Sequence, residues 1–300
     1  MWNIFYNVLF PITLIAGLGF LLNRRFELHT KTLSRLVVYL ASPALVFSSV
    51  SRSTLMAQEL AQLLAFTIAI MGIFAALSWL LARKIRLDQK TTSAFTLSST
   101  LINAGNFGLP FISFAFGDAG LGRAAIIYTG ASIVANTLGI FLASRGSAPV
   151  WKSLTNVLKV PLPYALAAGL LVNFGVLRVS VPLERSFALL GGAAVPVMLI
   201  LLGAQLSRVR LGRQLQLVAL SGGLKLIATP LVGVVLARLM MLHGLTAQVS
   251  IIQTSMPTAV ISIVLAEEFG SDVQFVSSAV LVSTLVSLVS LPVLLHIFGS

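Results

Sequence analysis

The 300 residues are 57% hydrophobic and only 9% charged, with no cysteine and a formal net charge of +12. That composition excludes an ordinary soluble domain and points to a polytopic membrane protein; the missing cysteines exclude disulfides and thiolate metal sites. The positive charge does not indicate nucleic acid, because the basic residues sit in short loops between apolar stretches and no nucleic-acid-binding motif is present.

A hydrocarbon core is crossed by about 20 apolar residues of helix. On that rule ten spans are expected, at Trp2–Leu22, Leu33–Val50, Leu60–Ala82, Thr91–Phe116, Ala124–Ser144, Pro161–Val176, Phe187–Leu206, Leu215–Met241, Gln248–Phe269 and Gln274–Phe298. The first, MWNIFYNVLF onward, lacks a basic leader and a cleavage site and reads as a span rather than a signal peptide. Loops after odd-numbered spans hold Arg24, Arg25, Lys31, Arg35, Arg83, Lys84, Arg86, Lys90, Arg145, Lys152, Lys159, Arg208, Arg210 and Arg213, fourteen in all. Loops after even-numbered spans hold five, Arg52, Arg123, Arg178, Arg185 and Arg238. The basic side is cytoplasmic by the positive-inside rule, so both termini are expected outside. The loop after span nine, with Glu267, Glu268 and Asp272, adds nothing to this split.

Span four contains Asn103-Ala104-Gly105-Asn106-Phe107-Gly108-Leu109-Pro110. Glycines weaken a helix, proline removes a donor and clashes with the preceding turn, and asparagine amides have no partner in lipid. Such backbone survives at membrane depth only where protein or a watery cavity surrounds it. A broken helix facing the interior is therefore expected, of the kind that builds substrate sites in transporters.

Pro11-x-x-Leu14-x-Ala16-Gly17-Leu18 recurs as Pro163-x-x-Leu166-x-Ala168-Gly169-Leu170, Pro43 as Pro196, and Phe116-Gly117-Asp118 as Phe269-Gly270-Ser271-Asp272, at shifts of 152 or 153 residues. A five-span unit is odd, so its second copy is inverted. Inverted repeats are a mark of secondary transporters. The divisions are 1–146 and 147–300. The partner of the broken stretch is Ile252-Gln253-Thr254-Ser255-Met256-Pro257-Thr258 in span nine. Half-helices starting near Pro110 and Pro257 would aim positive N-terminal ends at the centre and favour an anion.

Lys225 lies about ten residues into span eight, roughly 15 Å of helix from its start, too deep to snorkel easily to water. Ser221, Gly222, Lys225 and Thr229 share one small polar face. An intramembrane lysine marks a functional position, here a substrate or gating role. No Asp or Glu lies mid-span, which disfavours a cation site. Asn136, Ser283, Thr284 and Ser287 are secondary candidates, since such side chains often only bond neighbouring helices. His29, His243 and His296 are too scattered for a metal, and neither a metal nor another cofactor is expected.

Asn103–Pro110, Lys225-Leu226 with Pro230, Met256-Pro257, Phe269–Asp272, Ser283-Thr284-Leu285-Val286-Ser287 and Leu291-Pro292 carry a resemblance covering nearly the whole chain. It resembles the auxin efflux carrier family in its compact bacterial form. That resemblance implies secondary transport of organic anions, as in bacterial malonate and malate permeases and the plant auxin exporters. It implies a fold shared with bile-acid symporters and sodium/proton antiporters: an all-α protein of two inverted five-helix repeats, with broken helices four and nine crossed. Spans one, two, six and seven would form a scaffold, and spans three to five and eight to ten a moving transport domain. Plant members carry a long loop between spans five and six; here Arg145–Lys159 is short.

The expected function is a carrier of small carboxylates across the bacterial inner membrane by alternating access. The substrate-binding residues would be Asn103, Gly105, Asn106, Gly108, Pro110, Asn136, Lys225, Gln253, Thr254, Ser255 and Pro257. A sodium- or proton-coupled transporter of the same fold and a channel stay open as alternatives. An intramembrane enzyme is disfavoured, since no H-E-x-x-H and no serine–histidine pair at depth is present. The partners foreseen are the carboxylate, membrane lipid and a coupling proton or sodium ion, with a homodimer left open and no nucleic acid.

Overall fold

The computed structural model describes residues 2–144, 157–212 and 214–299. Arg145, Lys152 and Arg213 of the charge pattern, and the repeat boundary at 146/147, lie outside the described residues. The described chain is helical and runs α1 Trp2–Phe26, α2 Thr30–Ser51, α3 Ala57–Lys84, α4 Gln89–Thr100 and α5 Ala104–Ala143. It continues with α6 Leu162–Asn173, α7 Val181–Leu206, α8 Leu215–Leu239, α9 Gly244–Thr254, α10 Ile261–Glu268 and α11 Val273–Phe298. Among the described residues, α1, α2, α3, α5, α7, α8 and α11 are each long and apolar enough to cross a membrane, and α6 is a shorter apolar helix. The chain is a multi-pass membrane protein.

At 1.5 Å per residue α5 would be about 60 Å long, twice a hydrocarbon core. It does not run straight. Gly117, at φ 61° and ψ −155°, interrupts it with a conformation that favours glycine. The helix resumes at Asp118, six residues before Ala124, where the sequence places the start of a fifth span.

Prolines shape the other helices through wide turns. Five-residue π turns at Phe5–Leu9, Val37–Ala41, Ala104–Gly108 and Leu224–Ala228 each end two residues before a proline, at Pro11, Pro43, Pro110 and Pro230. In a regular helix a proline ring collides with the carbonyl four residues back. In each case that carbonyl belongs to the wide turn, which moves it aside. Pro110 therefore sits inside α5 near its start instead of marking the break.

Packing falls into two groups. The second half of α7 lies against α1, where a Cβ on Gly203 would sit 1.8 Å from the Ala16 carbonyl oxygen and one on Gly19 2.3 Å from that of Ile200. Helix α2 packs on α6 at Gly169 and on the first half of α7 at Gly191. Helices α3, α4, α5, α8, α9, α10 and α11 form the second group. A continuous apolar core containing Phe66, Phe74, Phe107 and Phe111 links the two, and a smaller cluster around Phe95 and Phe275 sits inside the second.

Candidate functional site

Two interruptions meet in the second group. Helix α4 ends at Thr100 and α5 begins at Ala104; α9 ends at Thr254 and α10 begins at Ile261. The connecting strands pair antiparallel at Ile102 and Thr258. Asn103 N–H donates to the Pro257 carbonyl at 2.8 Å, and Ala259 N–H to the Leu101 carbonyl at 3.0 Å. The Thr258 hydroxyl donates to the Ser98 carbonyl at 2.8 Å, and Ser283 Oγ accepts from Thr258 N–H at 3.1 Å. Backbone groups that lipid would leave unpaired are thus satisfied within the protein. The two half-helix starts lie at Ala104 and Ile261, which corrects the expectation of starts near Pro110 and Pro257.

Beside this crossing lies a cavity of about 310 Å³. Of the sequence candidates it is lined by Asn103, Gly105, Asn106 and Asn136, and its wall also includes Tyr128 and Gln205. Most of the remaining wall is apolar, with Val37, Val38, Leu201 and Val264, and among the described residues no lining side chain carries a charge. Asn103 is 5% exposed, and its amide nitrogen has no hydrogen-bond partner. Asn106 Nδ2 donates to Gln205 Oε1 at 3.4 Å, and Asn136 Nδ2 to the Ser132 carbonyl of its own helix at 2.8 Å. The wall includes the first turn of α5 and residues 259–261 entering α10. First-turn amides lack helical acceptors, and the positive ends of both helix dipoles face the space. The chemistry offered is neutral amide donors plus two partial positive charges.

The other candidates lie behind this wall. Gln253 is fully buried and donates to the Ala104 carbonyl at 2.8 Å, tying α9 to the start of α5. A Cβ on Gly108 would meet its amide at 2.7 Å. Thr254 and Ser255 donate to their own helix, to Ser250 and Ile251 carbonyls. Pro257 contributes its carbonyl to the crossing, and Pro110 is buried in α5. Lys225, 1% exposed in the wide turn of α8, donates to the Thr100 carbonyl at 2.9 Å and the Ser99 carbonyl at 3.4 Å. Its polar face points inward as expected, with Ser221 and Ser99 hydroxyls 3.1 Å apart, but it meets the C-terminal end of α4 rather than the cavity. A cation there complements the negative end of the helix dipole.

A second cavity, of about 360 Å³, lies at the opposite ends of α2 and α7, lined by Ser48, Arg52, Asp118, Arg123 and Gly192 among others. Gln205 escaped the sequence reading because a lone glutamine near a span end reads as interfacial. Its one signal is the polar side chain in the apolar run Leu201-Leu202-Gly203-Ala204-Gln205.

A family model described as membrane transport protein matches residues 4–156 and 151–295. The chain is 31% identical over 267 residues to an uncharacterized transporter of Methanothermobacter thermautotrophicus, covering 89% of this chain and 88% of that one. It is 29% identical over 269 residues to an uncharacterized transporter of Methanocaldococcus jannaschii, covering 87% of each.

Proposed function

The chain belongs to the membrane transport protein family, that of the auxin efflux carriers, and from that premise we propose that it is a carrier of small carboxylates working by alternating access at the crossing of α4–α5 and α9–α10. The observation that carries this reading is the Asn103 side-chain amide nitrogen, buried and without a partner, on a residue that lines a cavity with no charged side chain among the described residues. A buried donor lacking a partner costs free energy, and a carboxylate oxygen admitted by a small movement of the wall would satisfy it.

We further propose ten spans in two inverted repeats, 1–146 and 147–300, with α1, α2, α6 and α7 as the scaffold. The packing supports this. A shift of 153 residues turns the pair α1–α7 into the pair α6–α2, and both are close helix pairs. The two cavities support alternation, since they lie between the same two groups at opposite ends of α2 and α7. Following the charge pattern, both termini face away from the cytoplasm, and the 310 Å³ cavity opens on the cytoplasmic side. Coupling to a proton or sodium ion is the alternative use of the architecture; the cavity wall supplies no carboxylate for a cation.

Counterflow of labelled acetate, malonate and succinate in proteoliposomes tests the reading. Saturable exchange of at least one, lost in Asn106→Ala, is the expected result. Non-saturating flux would indicate a channel, and indifference of a measurable flux to Asn106→Ala would remove the crossing from the binding site.

A further inference from the structure

Gln205 stands in the last turn of α7, across the cavity from Asn106. Their 3.4 Å contact and the 3.5 Å contact from Tyr128 OH to Ser42 Oγ cross between the two helix groups. Some contacts inside one group are shorter, as with Asn23 Nδ2 to Ser207 Oγ at 2.6 Å and Arg123 Nε to Thr246 Oγ1 at 2.8 Å, although Lys225 Nζ to the Ser99 carbonyl inside the second group is also 3.4 Å. An amide bond stretched to 3.4 Å lies well beyond the usual 2.9–3.0 Å and opens at little cost. Gln205 Oε1 takes the acceptor place on Asn106 that a carboxylate oxygen would take.

A glutamine amide carries an acceptor and two donors on one planar group. Turning it over replaces the acceptor by donors without changing its shape. We propose that Gln205 is the scaffold-side specificity residue: with the carboxylate bound, its amide turns and donates, so the anion is held between Asn106 on one group and Gln205 on the other. This rests on the carboxylate reading above and extends it to the opposite wall. The repeat register gives separate support. The position 153 residues earlier is Arg52, near the end of α2, and it lines the second cavity. One equivalent register position thus lines a cavity at both ends of the protein, carrying a donor each time, with Arg52 ion-paired to Glu184 of α7 at 3.1 Å. The ligand feature recognised is a carboxylate group whose oxygens lie in reach of both groups at once.

Binding of acetate, malonate and succinate to the purified full chain, by calorimetry, tests the assignment in wild type, Gln205→Glu, Gln205→Lys and Asn106→Ala. Glutamate matches glutamine in shape but sets like charges together. The expected results are at least tenfold weaker binding in Gln205→Glu and severalfold tighter binding in Gln205→Lys. The gain in the lysine variant cannot come from misfolding, and melting of the anion-free proteins checks the glutamate variant. Wild-type affinity in both Gln205 variants, with binding weakened in Asn106→Ala, overturns the role of Gln205 and leaves the carboxylate reading standing. Unchanged binding in all three variants, or no binding of any probe by wild type, overturns both.

Discussion

The backbone of Asn103 is fixed by its 2.8 Å bond to the Pro257 carbonyl, while its side-chain amide nitrogen, in the same buried position, has no partner. Main chain and side chain of one residue therefore differ. The main chain joins the two interruptions, and on the reading proposed above the side chain serves the ligand.

That division gives a first prediction. Asn103→Ala keeps the bond to Pro257 and removes the unpaired donor. The empty protein should melt at the wild-type temperature or slightly above it, since an orphaned buried polar group costs about 1–3 kcal/mol. Carboxylate binding should weaken by a comparable free energy. Loss of thermal stability with unchanged binding, measured by calorimetry on the purified chain, would assign Asn103 to the fold alone.

The broken helices were legible because Asn103-Ala104-Gly105-Asn106 conflicts with continuous helix in lipid whatever the rest of the chain does. The place of the break was not. Proline is the usual breaker, yet Pro110 and Pro230 are absorbed by wide turns, and the interruption falls at residues 101–103. The pairing of Ile102 with Thr258 joins segments far apart in sequence, so no local pattern announces it. The depth of Lys225 follows from counting residues; the carbonyls it meets depend on where α4 ends. Likewise the repeated Pro-x-x-Leu-x-Ala-Gly-Leu motif reveals the repeat but not the packing, because a Cβ on Gly17 would touch nothing within 4 Å while one on Gly169 would meet Phe47 at 3.1 Å.

The glycines of α1 and α7 supply a second prediction. Gly203→Ala places a methyl 1.8 Å from the Ala16 carbonyl oxygen, and backbone cannot swing away as a side chain can. The helices must part, at a cost of about 1–3 kcal/mol or more. Gly17→Ala, one residue after Ala16, meets nothing and should be neutral or up to about 1 kcal/mol stabilising through helix propensity. Thermal melts of the two variants check the contrast. Equal melting temperatures would mean that α1 and α7 do not pack this closely.

The start of α4 gives a pH dependence. Asp88 caps it, accepting from Lys90 N–H at 2.9 Å, Thr91 N–H at 3.1 Å and the Thr91 hydroxyl at 2.6 Å. The Thr91 hydroxyl foremost, with these amides, holds the Asp88 carboxyl below its ordinary value of 3.8. A group with a lowered folded pKa stabilises fully above its unfolded value, and that contribution is lost as pH falls through the folded value. Asp88→Ala should cost about 1 kcal/mol at neutral pH. The difference from wild type should shrink below pH 3.8. Melts from neutral to acid pH check it, and a gap that stays constant would show that the carboxylate charge contributes nothing to the cap.

The last prediction separates two roles of Lys225. Its ammonium meets the Thr100 and Ser99 carbonyls, and among the described residues no acidic side chain pairs with it. Burying an ammonium without a carboxylate costs several kcal/mol. Leaving two last-turn carbonyls without a donor costs about 1–3 kcal/mol each at most. The two costs are of the same size, so Lys225→Met should melt close to the wild-type temperature. A deep lysine that adds little to stability points to the transport cycle, and transport by Lys225→Met should fall. Lys225→Arg should not rescue it, because the larger planar guanidinium enters a space already closed by Ile70, Phe74 and Thr254. Melting and counterflow on the same preparations decide. If Lys225→Met melts several degrees lower while its folded fraction exchanges substrate normally, Lys225 is a cap on α4 and has no part in transport.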